Sequence, residues 1–313
     1  MGRIDQIHRQ IGQRQPDKVT MFAPEEWMYD YKKYARWEHV DDQALNREFD
    51  LLLGSFENEE DKLIYPEGTN LIYWPTFWIY ATWDQCLYQR YARDISNITK
   101  PFLCLNNMPH WFRCAMIDEM SRRQLIDKGI ITWHQPDVDF NWKHWKPKKL
   151  IIDPLFNAEN VDGYRYSDEM QAALNSTFMS LVLESTLQRC FLTEKTFQQI
   201  MQKRIFLTFG APSIYKHMDE LGFKRFDEIF DYSFDEEKDY IKRGSMILDQ
   251  VESIVGRDYQ TISEKLLPKI EHNFKLMNEL ALDTDSVPSC VKEVVNEHPS
   301  FNFLYNRISS GSI

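Results

Sequence analysis

Long apolar runs are missing from this chain: no window approaches 18 apolar residues, and Met1 to His8 carry no apolar signal core. That disfavours a membrane-spanning helix or a secretory leader and predicts a soluble, cytoplasmic protein. Met1-Gly2 is followed by Gln6 where an N-myristoylation signal needs Ser or Thr, so a lipid anchor is discounted. Cysteine is scarce and unpaired in pattern. The five, Cys86, Cys104, Cys114, Cys190 and Cys290, are odd in number and show no Cys-x-x-Cys, which reads as reduced thiols rather than a disulfide framework. Basic charge is in deficit, 37 Lys and Arg against 48 Asp and Glu for a net charge of −11, so a general nucleic-acid coat is disfavoured. No Gly-x-Gly-x-x-Gly follows a strand, and no Gly-Lys-Ser/Thr loop, His-Glu-x-x-His or Gly-x-Ser-x-Gly occurs. Dinucleotide oxidoreductases, P-loop enzymes, zinc proteases and serine hydrolases of those types lose support.

What is present is a chain of 313 residues, 43% hydrophobic and 14% aromatic, enough to bury a large core and form two domains. Aromatics gather in 29–37, 65–91 and 133–145. Aromatic faces can line sugar and base sites, but most aromatic side chains are simply core. A turn signal at Asn97-Ile-Thr-Lys-Pro101 separates a first region, 1–98, from the rest. That first region reads as short strands, including Val19 to Phe22 and Phe49 to Gly54. It also holds an acidic loop at 57–61 and a helix-like aromatic run at 74–80. From 102 strands and helices alternate, giving a Rossmann-like domain over 99–256. Its first pieces are a strand at 102–105, a helix at 111–128 ending at Gly129, and a strand at 130–133. A helix over 213–221 stops at Gly222. Helices at 235–255 and 258–281 follow, the second interrupted or kinked by Pro268 and leading into a helical extension over 257–313. The fold class expected is α/β, two Rossmann-like domains with C-terminal helices.

The segment from Glu184 to Phe197 carries the sharpest local signal. Phe178 to Leu183 and Arg204 to Gly210 are short apolar runs suited to buried strands. Between them, 193–203 reads as a helix with Thr193 as N-cap and Phe197, Ile200 and Met201 as its apolar stripe. A strand, helix and strand with short links form a parallel pair. Ligands of such sheets collect beyond the strands' carboxyl ends, where the next helix offers free N–H groups. Glu184, Glu194 and Lys195 fall at that edge. Lys195 could meet a phosphate and Glu194 ribose hydroxyls. The same three residue types also fit a plain helix cap with a solvated lysine, and spacing leaves both readings open.

Two segments together carry a family resemblance. Phe102-Leu-Cys-Leu-Asn-Asn-Met-Pro-His-Trp-Phe-Arg113, with Ser180-Leu-Val-Leu-Glu184 and Phe191-Leu-Thr-Glu194-Lys195, resembles the donor-binding domain of fucosyltransferase-like glycosyltransferases of the two-Rossmann (GT-B) architecture, especially bacteriophage-encoded ones. The likeness continues through Leu207 to Phe223 and Phe226 to Asp235, covering about residues 100–240. It implies an inverting transfer from a nucleotide sugar, UDP- or GDP-linked, with no tightly bound cofactor. Arg113 and Lys195 would neutralise the donor diphosphate, Glu194 would hold the ribose and Glu184 would contact the sugar. The family's general base lies in a Gly-Glu-Asn segment; the nearest counterpart is Pro24-Glu25-Glu26, which departs from it on both sides. Glu25 or Glu26 is therefore the expected base, with Asp30 and Glu67 as fallbacks, although first-turn helix acids would look the same.

Asp137-Val-Asp139 matches the Asp-x-Asp with which the other large glycosyltransferase architecture holds a divalent metal. The Arg and Lys pair can supply the same neutralisation, so no metal is expected. The acceptor implied by the phage relatives is 5-hydroxymethylcytosine in phage DNA, as in their arabinosyltransferases. On that view Trp142-Lys-His-Trp-Lys-Pro-Lys-Lys149 would touch DNA, and the 74–83 run would line a pocket for an extruded base. The acidic net charge counts against it. A surface glycan or lipid-linked sugar acceptor, and a non-catalytic nucleotide-binding protein on a transferase-like fold, remain the alternatives.

Overall fold

The structure is a computed structural model that describes residues 19–23, 49–53, 69–73, 95–106, 110–132, 168–187 and 190–282. The chain divides into two compact units, one of residues 1–80, 189–191 and 278–313, the other of 81–188 and 192–277. In the first, strands β1 (Val19–Ala23), β2 (Phe49–Leu53) and β3 (Thr69–Tyr73) form a parallel sheet in that order. The sequence reading places β1 and β2 but not β3, whose polar opening Thr69-Asn70 breaks the apolar run by which a buried strand is recognised.

The second unit holds a four-stranded parallel sheet of β4 (Lys100–Cys104), β5 (Ile130–Ile131), β6 (Thr177–Leu183) and β7 (Ile205–Phe209), in the order β5-β4-β6-β7. Phe102 pairs with Met179 and Leu181 with Leu207. Every residue of β6 and β7 is buried. Continuous apolar runs of this kind belong to parallel strands covered on both faces, which is why the sequence shows them so clearly. The amino ends are tied by Arg204, a buried cation whose Nε donates to Ser180 Oγ at 2.8 Å and Nη2 to Thr177 Oγ1 at 2.8 Å.

Six α-helices are present among the described residues: α1 (Trp111–Arg122), α2 (Asp168–Asn175), α3 (Glu194–Met201), α4 (Ile214–Glu220), α5 (Tyr240–Ser253) and α6 (Tyr259–Leu282). The chain is thus a mixed α/β protein with parallel sheets. α1 ends earlier than its composition suggests. Gln124 takes a left-handed φ of 60°, its N–H bonds Ser121 O at 3.1 Å, and the Leu125 N–H bonds Met120 O at 2.8 Å, a Schellman end built without glycine. Gly129, expected to stop this helix, has a different job: a Cβ there would lie 2.4 Å from the buried Phe102 ring. Pro268 sits inside α6, which runs through it for 24 residues.

α5 lies alongside α1 in the same direction. Trp111 meets Tyr240 at their first turns, with ring centroids 4.8 Å apart. Arg123 at the far end of α1 bonds Ser245 Oγ at 2.6 Å and Asp249 Oδ1 at 2.6 Å. Between them Gly244 permits the close approach, since a Cβ there would stand 2.8 Å from Met116 Sδ.

Candidate functional site

The order β5-β4-β6-β7 contains a reversal. From β4 the chain moves outward to β5, and from β6 it moves outward the other way to β7, so the chain leaves these two adjacent strands in opposite directions. Parallel sheets bind ligands at this switch point, beyond the carboxyl ends of the strands. The two loops lead into α1 and α3, whose amino ends both face that edge.

Thr193 caps α3 as the spacing predicts, in an extended conformation with φ −97°, its Oγ1 accepting from Lys195 N at 3.3 Å. The same hydroxyl donates to Glu184 Oε2 at 2.6 Å and accepts from Lys195 Nζ at 3.1 Å. A threonine hydroxyl has one proton and two lone pairs, so these three bonds use it fully. Lys195 Nζ also donates to Ser185 Oγ at 3.0 Å, which sets its ammonium directly above the end of β6.

Glu184, expected to contact the sugar, is fully buried. Its Oε1 accepts from Thr193 N at 3.1 Å and Thr196 Oγ1 at 2.5 Å, while Oε2 takes the Thr193 hydroxyl. A buried carboxylate is retained when hydrogen-bond donors enclose it, and these come from the first turn of α3. Glu184 therefore braces that helix against β6. Its sequence position is as expected, but its carboxylate oxygens face the helix.

Arg113 comes from α1 and is also buried. Its Nε and Nη2 converge on the backbone carbonyl of Glu184 at 3.2 and 2.9 Å, across 71 residues of sequence. The fold repeats this device next door, where Arg243 Nε and Nη2 hold Gly210 O just beyond β7 at 3.1 and 2.8 Å. The fork is thus first a clamp between a helix and a strand end, and it leaves a full positive charge beside the switch point.

His110 is the residue that sequence reasoning missed. It is the N-cap of α1, makes no side-chain cap bond, and precedes a first turn with no acidic residue. Its imidazole stacks on Phe112, with centroids 5.7 Å apart and planes 8° from parallel. Burial pushes its pKa down to about 4, and the charges of Arg113 and Lys195 push in the same direction. The two cations are brought together at the end of β6, where Arg113 holds the carbonyl of Glu184 and Lys195 the hydroxyl of the next residue, Ser185. No sequence signal links His110 to Lys195, 85 residues later.

Nearby, Asn106 is buried with its backbone N–H on Thr132 Oγ1 at 2.8 Å, while its Oδ1 has no hydrogen-bond partner. Cys104 and Cys114, at the end of β4 and in α1, have thiols pushed up to about 12 by burial, so neither is an activated nucleophile. Glu194 opens α3 as its first residue. Glu25, Glu26, Asp30, Glu67, Asp137, Asp139 and the segment 142–149 lie outside the described residues. Among the described residues, no group of three or more His, Cys, Asp or Glu side chains is arranged to hold a metal ion. No described helix is long and apolar enough to cross a membrane.

What the described residues form at the carboxyl edge of the sheet is a pair of cations, Arg113 and Lys195, beside His110 and the amino ends of α1 and α3, an arrangement suited to a phosphate or diphosphate. No family model matches the chain, and no curated protein does. A solved structure with partial likeness is a crystal structure of the DNA modifying enzyme beta-glucosyltransferase, determined in the presence and absence of its substrate uridine diphosphoglucose. It aligns over 84% of this chain and 72% of that chain, at 10% identity and a TM-score of 0.41, and a likeness of that degree carries no argument.

Proposed function

We propose that this chain is a nucleotide-sugar-dependent glycosyltransferase of two Rossmann-like domains, with the donor diphosphate held at the carboxyl edge of the β5-β4-β6-β7 sheet. The observation that carries the reading is that Arg113 and Lys195 are held side by side at the end of β6, Arg113 on the carbonyl of Glu184 and Lys195 on the hydroxyl of Ser185. The sequence resemblance through 102–118 and 180–195 supplies the reaction class. On this reading residues 99–256 bind the donor, 1–98 face the acceptor and 257–313 extend the fold as helices.

Lys195 bonds a phosphate oxygen directly, and the first-turn N–H groups of α1 bond another. Arg113 adds its charge from behind, fixed by its clamp on Glu184. Glu194 holds the ribose, and Glu184 acts through α3 by keeping Thr193 and Lys195 in place. As the glycosidic bond breaks, negative charge grows on the leaving diphosphate, and cations already fixed in place stabilise that charge most in the transition state. Glu25 or Glu26 takes the proton of the acceptor hydroxyl in an inverting displacement. The acceptor is 5-hydroxymethylcytosine in DNA, on the sequence resemblance alone; a glycan hydroxyl is the alternative within the same chemistry.

The test is a panel of UDP- and GDP-sugars, scored by thermal shift and by slow donor hydrolysis. At least one donor should stabilise the protein, and Lys195→Ala should remove that response while the unliganded melting temperature stays close to the wild type. Nucleoside mass analysis of hydroxymethylated DNA treated with the responding donor then identifies the acceptor. Saturable nucleotide binding with no hydrolysis and no transfer would favour the non-catalytic alternative.

A further inference from the structure

The first residues of α1 and α5 carry an unusual group of side chains. Among the described residues only five large hydrophobic side chains are exposed, and four of them lie along one edge: Leu105 just past β4, Trp111 at the start of α1, and Tyr240 and Ile241 at the start of α5. Trp111 is 37% exposed, Tyr240 42% and Ile241 70%. Scattered exposed apolar residues are ordinary, but a cluster beside a charged site marks a binding surface.

Direction strengthens this. In a helix each Cα–Cβ bond tilts toward the amino end, so a side chain at the first position leans past the end of its helix. Trp111 and Tyr240 therefore lean out over the carboxyl edge of the sheet, from two helices running side by side. Their rings meet at 75° with centroids 4.8 Å apart, an edge-to-face contact that holds both in place, with Phe112 edge-on to Trp111 at 5.7 Å, while both rings keep over a third of their surface exposed.

We infer that Trp111 and Tyr240 form the stacking platform for the nucleobase of the nucleoside diphosphate bound at this edge. The inference rests on the donor-site reading above and names the subsite it left open. Trp111 follows His110 and precedes Arg113 by two residues, so a ring on its face lies within a nucleoside's length of the phosphate site. Chemistry favours the base over other occupants. Beyond Trp111 the charges are mixed: Asp239 caps α5 through Ile241 N at 2.8 Å and Lys242 N at 3.0 Å, Glu237 holds Lys242 at 2.5 Å, and Lys238 is exposed between the two acids. Such a mixed line offers no run of cations to a DNA backbone, whereas an uncharged base loses nothing there. A sugar ring would need hydroxyl partners, and Asp239, Glu237 and Lys242 are already engaged with one another or with backbone. Stacking on an aromatic face demands no such partner and accepts any base.

Isothermal titration of the full chain with UDP, GDP and inorganic pyrophosphate separates the phosphate and base contributions. Trp111→Ala should weaken the preferred nucleoside diphosphate by about tenfold or more, from the usual contribution of one base stack, and leave pyrophosphate within about twofold. Tyr240→Ala should show the same selective loss, and Trp111→Phe should recover most of the affinity. Unchanged nucleoside diphosphate affinity in both alanine variants overturns the platform, as does equal loss of pyrophosphate. If the loss appears only with the intact sugar donor, the ring stacked there is the sugar and the inference is wrong. A wild-type protein that binds neither nucleoside diphosphate nor pyrophosphate would instead remove the donor site itself.

Discussion

His110 stands where two fixed cations act on one imidazole, and that has a consequence for stability. In the unfolded chain it takes up a proton near its ordinary value of 6.5, while in the folded protein it does so only near 4. Between those values the unfolded state binds more protons, so His110 makes stability fall as pH is lowered from about 6.5 to about 4. Its neutral-pH contribution is complete above that window. Urea unfolding at pH 7, 5.5 and 4.5 should therefore show His110→Gln losing less stability on acidification than the wild type; parallel losses would contradict the assignment. Lys195 belongs to the same scale. One charge-assisted hydrogen bond to phosphate lost in Lys195→Ala should raise the donor dissociation constant on the order of 10- to 100-fold. Sequence made Lys195 and Thr193 legible because helix capping is a local rule. It could not reveal that Arg113 would grip the carbonyl of Glu184 one residue from the Ser185 that holds Lys195, because that meeting depends on β4 and β6 lying side by side.

At the scale of elements, β6, α3 and β7 were readable nearly to the residue, since two buried strands and an amphipathic helix each leave a distinct period in the chain. The end of α1 was not. Its composition stays helix-compatible past Arg122, and the stop comes from Gln124 adopting a left-handed turn that glycine would take more easily. Gln124→Gly should accordingly stabilise the protein by about 0.5–1 kcal/mol, seen as a higher urea midpoint with unchanged slope. Gly129→Ala should do the reverse. Its Cβ would press on the enclosed Phe102 ring, costing about 1–3 kcal/mol. Glu184→Ala removes the acceptor for three donors of α3 at once, and about 2–4 kcal/mol should be lost, with Thr193→Ala costing about 1 kcal/mol. If Glu184→Ala melts like the wild type, the carboxylate does not brace the helix.

For the whole molecule, the alternation of strands and helices announced a parallel sheet, and the sheet is there. Its strand order was not legible, because β5 is only two residues long and the pairing of β4 with β6 crosses more than 70 residues of chain. Yet that order creates the switch point from which the chain leaves β4 and β6 in opposite directions, and it sets Arg113 of α1 beside Lys195 of α3 at the end of β6. The net charge of −11 sets a negative background for the two cations held at this edge. The most direct measurement is titration calorimetry of the wild type and Lys195→Ala with UDP- and GDP-sugars. Saturable binding of at least one donor to the wild type, weakened on the order of 10- to 100-fold in the variant, is the expected result. Binding of no donor, or equal binding to both proteins, would contradict a nucleotide-sugar site at Arg113 and Lys195.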